Sequence, residues 1–461
     1  MSYEDYRKQQ IQAFLHLQLR RFLDGFNPHS PTVILLPGGM GSELARTRRP
    51  FNEAAPPNPN PIDDTIWMDI GVVFNSDALK LEIRNDLRDY KSFVVTADGP
   101  VCFASLTPYD DFLDFAKSQN WNIVVFGYDW RRPLQESADF LKFFVDEFRR
   151  RVIAAHQSDP LPDTNLVAHS MGGTVVTLAL QNPQFFSLPF HSIVTVATPF
   201  YGTATHQDRY YIGEKMLNVL YGADVVAPII ASLPGPYSLM FLPKVIYDRD
   251  RDLIPDLEQY PVIDSHTGQA ADPFDPALVQ RWPSAVRRCL GYIADNRAAL
   301  LKMTKPIDTE IKKRFFNVRA SGTPTANYLL WEDVDGDDVS PTAGKSPLGR
   351  IPGPGDGTVP AWSAFHAYSL TANRRELTKA KDHGLLFEHP EVMGVIEAII
   401  SGRKTVSRAI RKAKRPARVA SLGRAQKVLK QAKSLRERGK PPPPDLFTAP
   451  VVRAIYKKII W

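Results

Sequence analysis

The chain has 461 residues, 43% of them apolar, enough to bury a large core, and its length reads as one catalytic domain with additions. Cys102 and Cys289 are its only cysteines, its start lacks a basic region followed by an apolar run, and neither Ser2 nor the Ile-Ile-Trp end fits a lipidation signal; a reduced, cytoplasmic chain is expected. The net charge of +7 conceals an asymmetry, because residues 403–440 hold fifteen Lys or Arg against one acid, Glu437, which leaves the body net acidic.

Residues 1–30 form an N-terminal extension in which Ile11, Phe14, Leu15, Leu19 and Phe22 lie near one helical face, predicting a helix over 3–24. Thr32 to Leu36 is a short continuous apolar run, as expected of a parallel strand buried on both faces. It ends at Pro37-Gly38-Gly39-Met40-Gly41-Ser42, either a tight turn or an anion site. Nucleotide binding is the poorer reading, since neither GxGxxG nor a Gly-Lys-Ser/Thr at phosphate-loop spacing is present. In a serine hydrolase the same loop offers a backbone N–H to an oxyanion.

Residues 50–61, rich in Pro and Asn, predict a surface loop leading to Ile66-Trp67-Met68-Asp69-Ile70. Trp67 either packs in the core or rides on a lid loop, about residues 50–75, at the mouth of a site. Residues 93–96 and 122–126 read as two further buried strands, the second ending in Gly127-Tyr128-Asp129-Trp130-Arg131-Arg132-Pro133. Residues 135–157, with Phe140, Leu141, Phe144, Phe148, Val152 and Ile153 on one side, predict an amphipathic crossover helix.

The next strand runs into Asn165-Leu166-Val167-Ala168-His169-Ser170-Met171-Gly172-Gly173-Thr174. A nucleophile on a strained strand-to-helix turn needs small residues two positions either side, and Ala168 and Gly172 meet that need. Strands alternating with helices argue for an α/β fold with a mostly parallel sheet and chemistry at the strands' C-terminal ends.

After a strand at 192–197 and Thr198-Pro199-Phe200-Tyr201-Gly202 the alternation breaks, and residues 203–312 predict an inserted cap. Within it, residues 225–243 run nineteen positions without a charge. Pro228, Pro234, Pro236 and Pro243 make a spanning helix a poor reading, since an interior Pro costs about 3 kcal/mol. An apolar cap over an apolar substrate, or plain burial, fits better. Residues 315–319 resume the strand pattern. Asp333-Val334-Asp335-Gly336-Asp337-Asp338 lacks the Gly and Glu that a calcium loop places at its sixth and twelfth positions, and reads as a solvated acidic loop. No metal or cofactor is expected. A helix over 389–400, opened by Pro390, closes a catalytic domain spanning 31–402.

A serine hydroxyl is a poor nucleophile unless an imidazole takes its proton and a carboxylate fixes that imidazole's tautomer. Asp356, between glycines in Gly353-Pro354-Gly355-Asp356-Gly357-Thr358-Val359-Pro360, and His383 can supply these groups. Their order, Ser then Asp then His, is that of α/β-hydrolases. His169 should point to the opposite face of its strand and His389 lies at a helix start, so both read as structural. Asp382 is beside His383 in sequence, where neighbouring side chains diverge. The oxyanion donors are expected to be the N–H of Met171 and one from Gly39 or Met40. Trp67 and Trp130 are the candidate substrate-side aromatics.

Six motifs in a fixed order carry a family resemblance: Pro37 to Ser42, Tyr128-Asp129-Trp130-Arg131, His169-Ser170-Met171-Gly172-Gly173, Ala197 to Gly202, Gly355 to Pro360, and His383. In this the chain resembles the lecithin:cholesterol acyltransferase family, which includes phospholipases, transacylases and plain esterases. The resemblance implies an α/β-hydrolase fold, Ser170, Asp356 and His383 as the triad, and Gly39 and Met171 as oxyanion donors. It likens the Trp67 loop to the family's lid and residues 233–243 to its cap. The chain differs from secreted members in having no cysteine near Trp67 for a lid-side disulfide.

In the tail, residues 403–461, Val406, Ile410 and Ala413, then Leu422, Val428, Leu429, Ala432 and Leu435, sit among basic residues at near-helical spacing. A solvated charge run, a patch for an anionic membrane surface and non-specific nucleic-acid binding compete; lipid is preferred because the body resembles a lipid enzyme. The sequence is thus read as a serine-dependent acyl hydrolase or acyltransferase acting on a lipid ester, peripheral to a membrane. The alternatives are a soluble carboxylesterase or thioesterase with the same triad, and a catalytically dead membrane-binding adaptor.

Overall fold

The structure, a computed structural model, describes residues 2–47, 62–67, 81–83, 94–101, 107–156, 163–182, 190–254, 256–331, 348–403, 422–438, 440 and 443–459. Its first half comprises α1 (Tyr3–Leu23), β1 (Thr32–Leu36), β2 (Ser42–Thr47), β3 (Ile62–Trp67), β4 (Val95–Pro100), α2 (Asp110–Ser118), β5 (Asn122–Val125), α3 (Leu134–His156), β6 (Thr164–His169), α4 (Met171–Leu180) and β7 (Phe190–Val196). The main elements after these are α5 (Ala204–Ile212), α6 (Lys215–Tyr221), α7 (Ala223–Ala231), β8 (Val262–Asp264), α8 (Leu290–Met303), β9 (Phe315–Ala320), β10 (Thr323–Trp331), β11 (Leu348–Gly355), β12 (Arg374–Leu377), α9 (Pro390–Ile400), α10 (Leu422–Glu437) and α11 (Ala449–Ile459).

The central sheet runs β12-β9-β7-β6-β1-β5, and every pair in it is parallel. The pleat sends alternate residues of β1 to opposite faces. Ile34 and Leu36 join Leu166, Ala168, Phe144 and Val176 under α3 and α4. Val33 and Leu35 join Val167, Val194, Phe112 and Ile396 under α2 and α9. Burial on both faces is why these strands read as unbroken apolar runs. Leu36 pairs with Ala168. The Gly-rich loop and the Ser170 turn therefore leave the sheet side by side at its C-terminal edge.

One expected strand goes elsewhere. The strand read at 93–96 corresponds to β4, which pairs antiparallel with β2, Ala45 opposite Thr96, in a separate sheet β3-β2-β4. A short half-buried run records burial but not its partner, so its periodicity could not assign it to a sheet. The third sheet, β11-β10-β8, borrows β8 from within the 203–312 stretch, with Val262 beside Leu329.

Most of the uncharged stretch is buried, although Val225 and Pro228 are exposed. Leu233, Leu239, Met240, Phe241 and Leu242 are all enclosed, and Pro228 lies inside the short helix α7. Among the described residues no single helix is long and apolar enough to cross a membrane. At the other end of the chain, α10 buries Ala425, Leu429 and Ala432, and α11 buries Val451, Val452, Ile455 and Tyr456. Lys433 Nζ donates to the Leu220 carbonyl of α6 at 2.5 Å. These positions of α10 and α11 thus pack on the protein instead of facing outward. Most of the lid loop, the acidic 333–338 run, and Val406, Ile410 and Ala413 lie outside the described residues.

Helix α1 is tied to the Tyr128 to Arg131 motif. Arg131 makes a two-pronged pair with Asp129, Nε to Oδ1 at 2.9 Å and Nη2 to Oδ2 at 2.7 Å, while the buried Arg7 of α1 reaches Asp129 at 4.0 Å and also pairs with Glu136 of α3. Burial opposes charge on Asp129, but Arg131, Arg7 and Arg132 outweigh it and hold the carboxyl below its usual range.

Candidate active site

Ser170 stands between β6 and α4 with φ 51° and ψ −124°. Such a backbone costs about 1–3 kcal/mol for a residue other than glycine and persists only where the surroundings over-determine it. Here the Ser170 N–H donates to the Val196 carbonyl (2.9 Å) and its carbonyl accepts from Gly173 N–H (2.9 Å). A Cβ on Gly172 would come within 2.5 Å of the Pro37 carbonyl oxygen and 2.8 Å of that of Leu36. Glycine is required there because the helix start presses on the end of β1.

The structure brings the three expected polar residues together. His383 Nε2 is 2.8 Å from Ser170 Oγ, and His383 Nδ1 is 2.6 Å from Asp356 Oδ2. Asp356 follows β11 in a tight turn, where its Oδ1 accepts the N–H groups of Thr358 (3.0 Å) and Val359 (2.7 Å). Its carbonyl accepts the His383 N–H at 3.1 Å, so backbone and side chain both locate the ring. Asp382 takes the left-handed φ of 65° that begins the 3₁₀ turn His383–Glu388. Ser170, His383 and Asp356 are each at most 1% exposed. His389 is the N-cap of α9, its ring accepting from Glu391 N–H.

Met171 is the first residue of α4, where helix geometry leaves an N–H without an intrahelical acceptor. Across from it, the Gly38–Gly41 turn closes with Gly41 N–H donating to the Gly38 carbonyl (2.9 Å), and Met40 adopts φ 59°. The Trp67 indole N–H donates to the Met40 carbonyl at 3.0 Å. Trp67 and Trp130 are buried, with ring centroids 5.6 Å apart at 66°. Of the two expectations for Trp67, the packed one describes this structure.

His169 departs from expectation. Read as structural and on the opposite face of its strand, it has its ring 4.9 Å from that of His383 and its Nδ1 3.0 Å from the Tyr109 hydroxyl. Burial and the neighbouring His383 push its pKa well down. Tyr109 had no sequence signal, since a single aromatic before a helix reads as core. For His169, adjacency to the nucleophile was the available signal.

A polar cavity of about 310 Å³ reaches Asp356 and His383, walled by Thr205, Asp208, Arg209 and Glu214. A second, of about 330 Å³, lies between Pro133, Pro234, Tyr292 and Ala299. Among the described residues no group of three or more His, Cys, Asp or Glu is placed to hold a metal ion.

The family model for lecithin:cholesterol acyltransferase matches residues 109–224, a stretch containing Tyr109, the Tyr128 to Arg131 motif and the Ser170 turn. The chain is lecithin:cholesterol acyltransferase-like there. No curated protein matches the sequence. Among solved structures, a chain in the crystal structure of the Tle4-Tli4 complex is similar at a TM-score of 0.52 and 15% identity, over 80% of this chain and 99% of that one. The architecture is an α/β-hydrolase fold with a mostly parallel central sheet.

Proposed function

We propose that this chain is a serine-dependent lipid acyl hydrolase or acyltransferase. The observation that carries the reading is the unbroken hydrogen-bond chain from Asp356 through His383 to Ser170. The family match supports lipid acyl chemistry in general, and the geometry supports the following steps. His383 takes the Ser170 proton as Oγ attacks the ester carbonyl, and Asp356 holds the ring and stabilises the imidazolium. Met171 N–H, with Gly39 or Met40 N–H, receives the oxyanion. His383 then passes its proton to the leaving alcohol, leaving an acyl group on Ser170 for water or a second alcohol to remove.

Exposed Arg424, Lys427 and Lys430 on α10 support attraction to an anionic membrane surface. A soluble carboxylesterase or thioesterase is the second reading, favoured by one observation: Ala425, Leu429 and Ala432 of α10 and Val451, Val452, Ile455 and Tyr456 of α11 are buried against the body and so are not offered to lipid. A dead adaptor accounts less well for a complete hydrogen-bond chain.

The test is fluorophosphonate labelling, in which Ser170 Oγ bonds phosphorus and fluoride leaves. Wild type should label and Ser170→Ala should not; folded wild type that stays unlabelled rejects the enzyme reading. Lipid product analysis with and without an added alcohol then separates hydrolysis from transfer, and activity confined to short soluble esters favours the second reading.

A further inference from the structure

A second hydrogen-bonded pair lies behind Ser170 and His383, and the mechanism above does not use it. Tyr109 is buried, and its Oη accepts the Gly38 N–H at 2.8 Å while standing 3.0 Å from His169 Nδ1. A phenol oxygen that accepts from Gly38 still has its own proton to give. Given to Nδ1, that proton needs an unprotonated nitrogen, which is a neutral His169 ring carrying its own proton on Nε2. The direction of both pKa shifts agrees, since burial raises Tyr109 and lowers His169.

The pair touches the Gly-rich loop, the strand end that carries the nucleophile and the ring of the base. Through Gly38 it grips the loop in which Met40 holds a left-handed φ, and a Cβ on Gly41 would sit 3.0 Å from the Tyr109 oxygen. His169 is the residue before the nucleophile, and its ring lies against His383. Phe387, one turn beyond His383, packs on Tyr109 (5.4 Å) and on His169 (5.3 Å). Trp67 holds the other end of the loop through the Met40 carbonyl.

We propose that Tyr109 and His169 are positioning residues that hold the Gly38 to Met40 loop in its oxyanion-binding shape and keep a neutral ring against His383. The proposal rests on the reading of Ser170, His383 and Asp356 as catalytic. Neutrality matters because a cation on His169 would repel the imidazolium that His383 becomes when Ser170 attacks.

The test uses the full chain and compares wild type with Tyr109→Phe, His169→Phe, His169→Asn and the double variant Tyr109→Phe/His169→Phe. Readouts are kcat and KM on a p-nitrophenyl ester, fluorophosphonate labelling and thermal unfolding. Tyr109→Phe and His169→Phe should each lower kcat by about 10–100-fold with KM little changed, the scale of loss for a loop displaced by an ångström or less. The double variant should be no worse than the worse single, because the two act as one unit. His169→Asn, which places an oxygen near the Nδ1 position, should recover most of the loss. Single variants with kcat within about twofold of wild type, losses that multiply in the double variant, or an Asn no better than Phe at equal thermal stability would overturn the proposal. Those results in a labelled wild type leave Ser170 as nucleophile; an unlabelled, folded wild type overturns both readings together.

Discussion

Arg453, on the last helix, places its Nε 3.1 and 3.0 Å from the two carboxylate oxygens of Glu388, the final residue of the turn that His383 begins. The C-terminal region is thereby fastened to the segment that carries the base. Glu388 is pushed up to about 7, chiefly by burial, with Asp111 and Asp110 adding to the effect and Arg453 opposing it.

That shift has a sign. An unfolded Glu titrates near about 4.3, so between there and about 7 the folded chain holds more protons than the unfolded one. The contribution is full below the lower value and is lost as pH rises through the higher. Urea midpoints should therefore carry a falling component from about pH 4 to about pH 7 that Glu388→Gln removes. An identical pH slope in the variant contradicts the assignment.

Asp356→Asn keeps the size of the acid but can leave His383 in the wrong tautomer. It should lower kcat about 10⁴-fold with unchanged folding, while Ser170→Ala should cost about as much or more. Ester turnover and circular dichroism on the same preparations check both. An Asp356→Asn variant with kcat within about tenfold of wild type would show that Asp356 does not orient the base.

Gly172→Ala would force a methyl to 2.5 Å from one backbone oxygen and 2.8 Å from another. Neither is a flexible side-chain end, so the strand must yield. We expect a loss of about 1–3 kcal/mol in stability and at least about tenfold in activity. Gly423→Ala on α10, with open space at its Cβ, is the control and should be neutral or stabilising. Equal behaviour of the two variants would be inconsistent with the packing described.

Arg424, Lys427 and Lys430 project from α10 into solvent while Ala425 and Leu429 face the body. Attraction to an anionic surface through this face would be electrostatic and weakened by salt. At about 1 kcal/mol per basic residue, reversing the three to Glu should reduce sedimentation with anionic vesicles by about 100-fold or more in affinity. Sedimentation that does not change removes the membrane proposal and leaves the basic face as a solvated one.

Much of the scaffold was legible because central parallel strands are buried on both sides and so appear as uninterrupted apolar runs, as in Thr32 to Leu36. Ser170, Asp356 and His383 stood out by residue type, small neighbours and chain order. The apolar spacing of α10 announced an amphipathic helix but not what its apolar face would meet. Likewise β4 declared itself a strand without declaring its sheet.

The amino-acid sequence alone therefore determined the local conformations, the chemistry available and the order in which it is delivered along the chain. Only the tertiary structure decided that Tyr109 and His169 belong beside the base, and that the tail clasps the His383 turn. Periodicity records whether a residue is buried, whereas a hydrogen bond from Gly38 to Tyr109 to His169 needs three distant segments to meet at about 3 Å. That meeting is a property of how the layers pack.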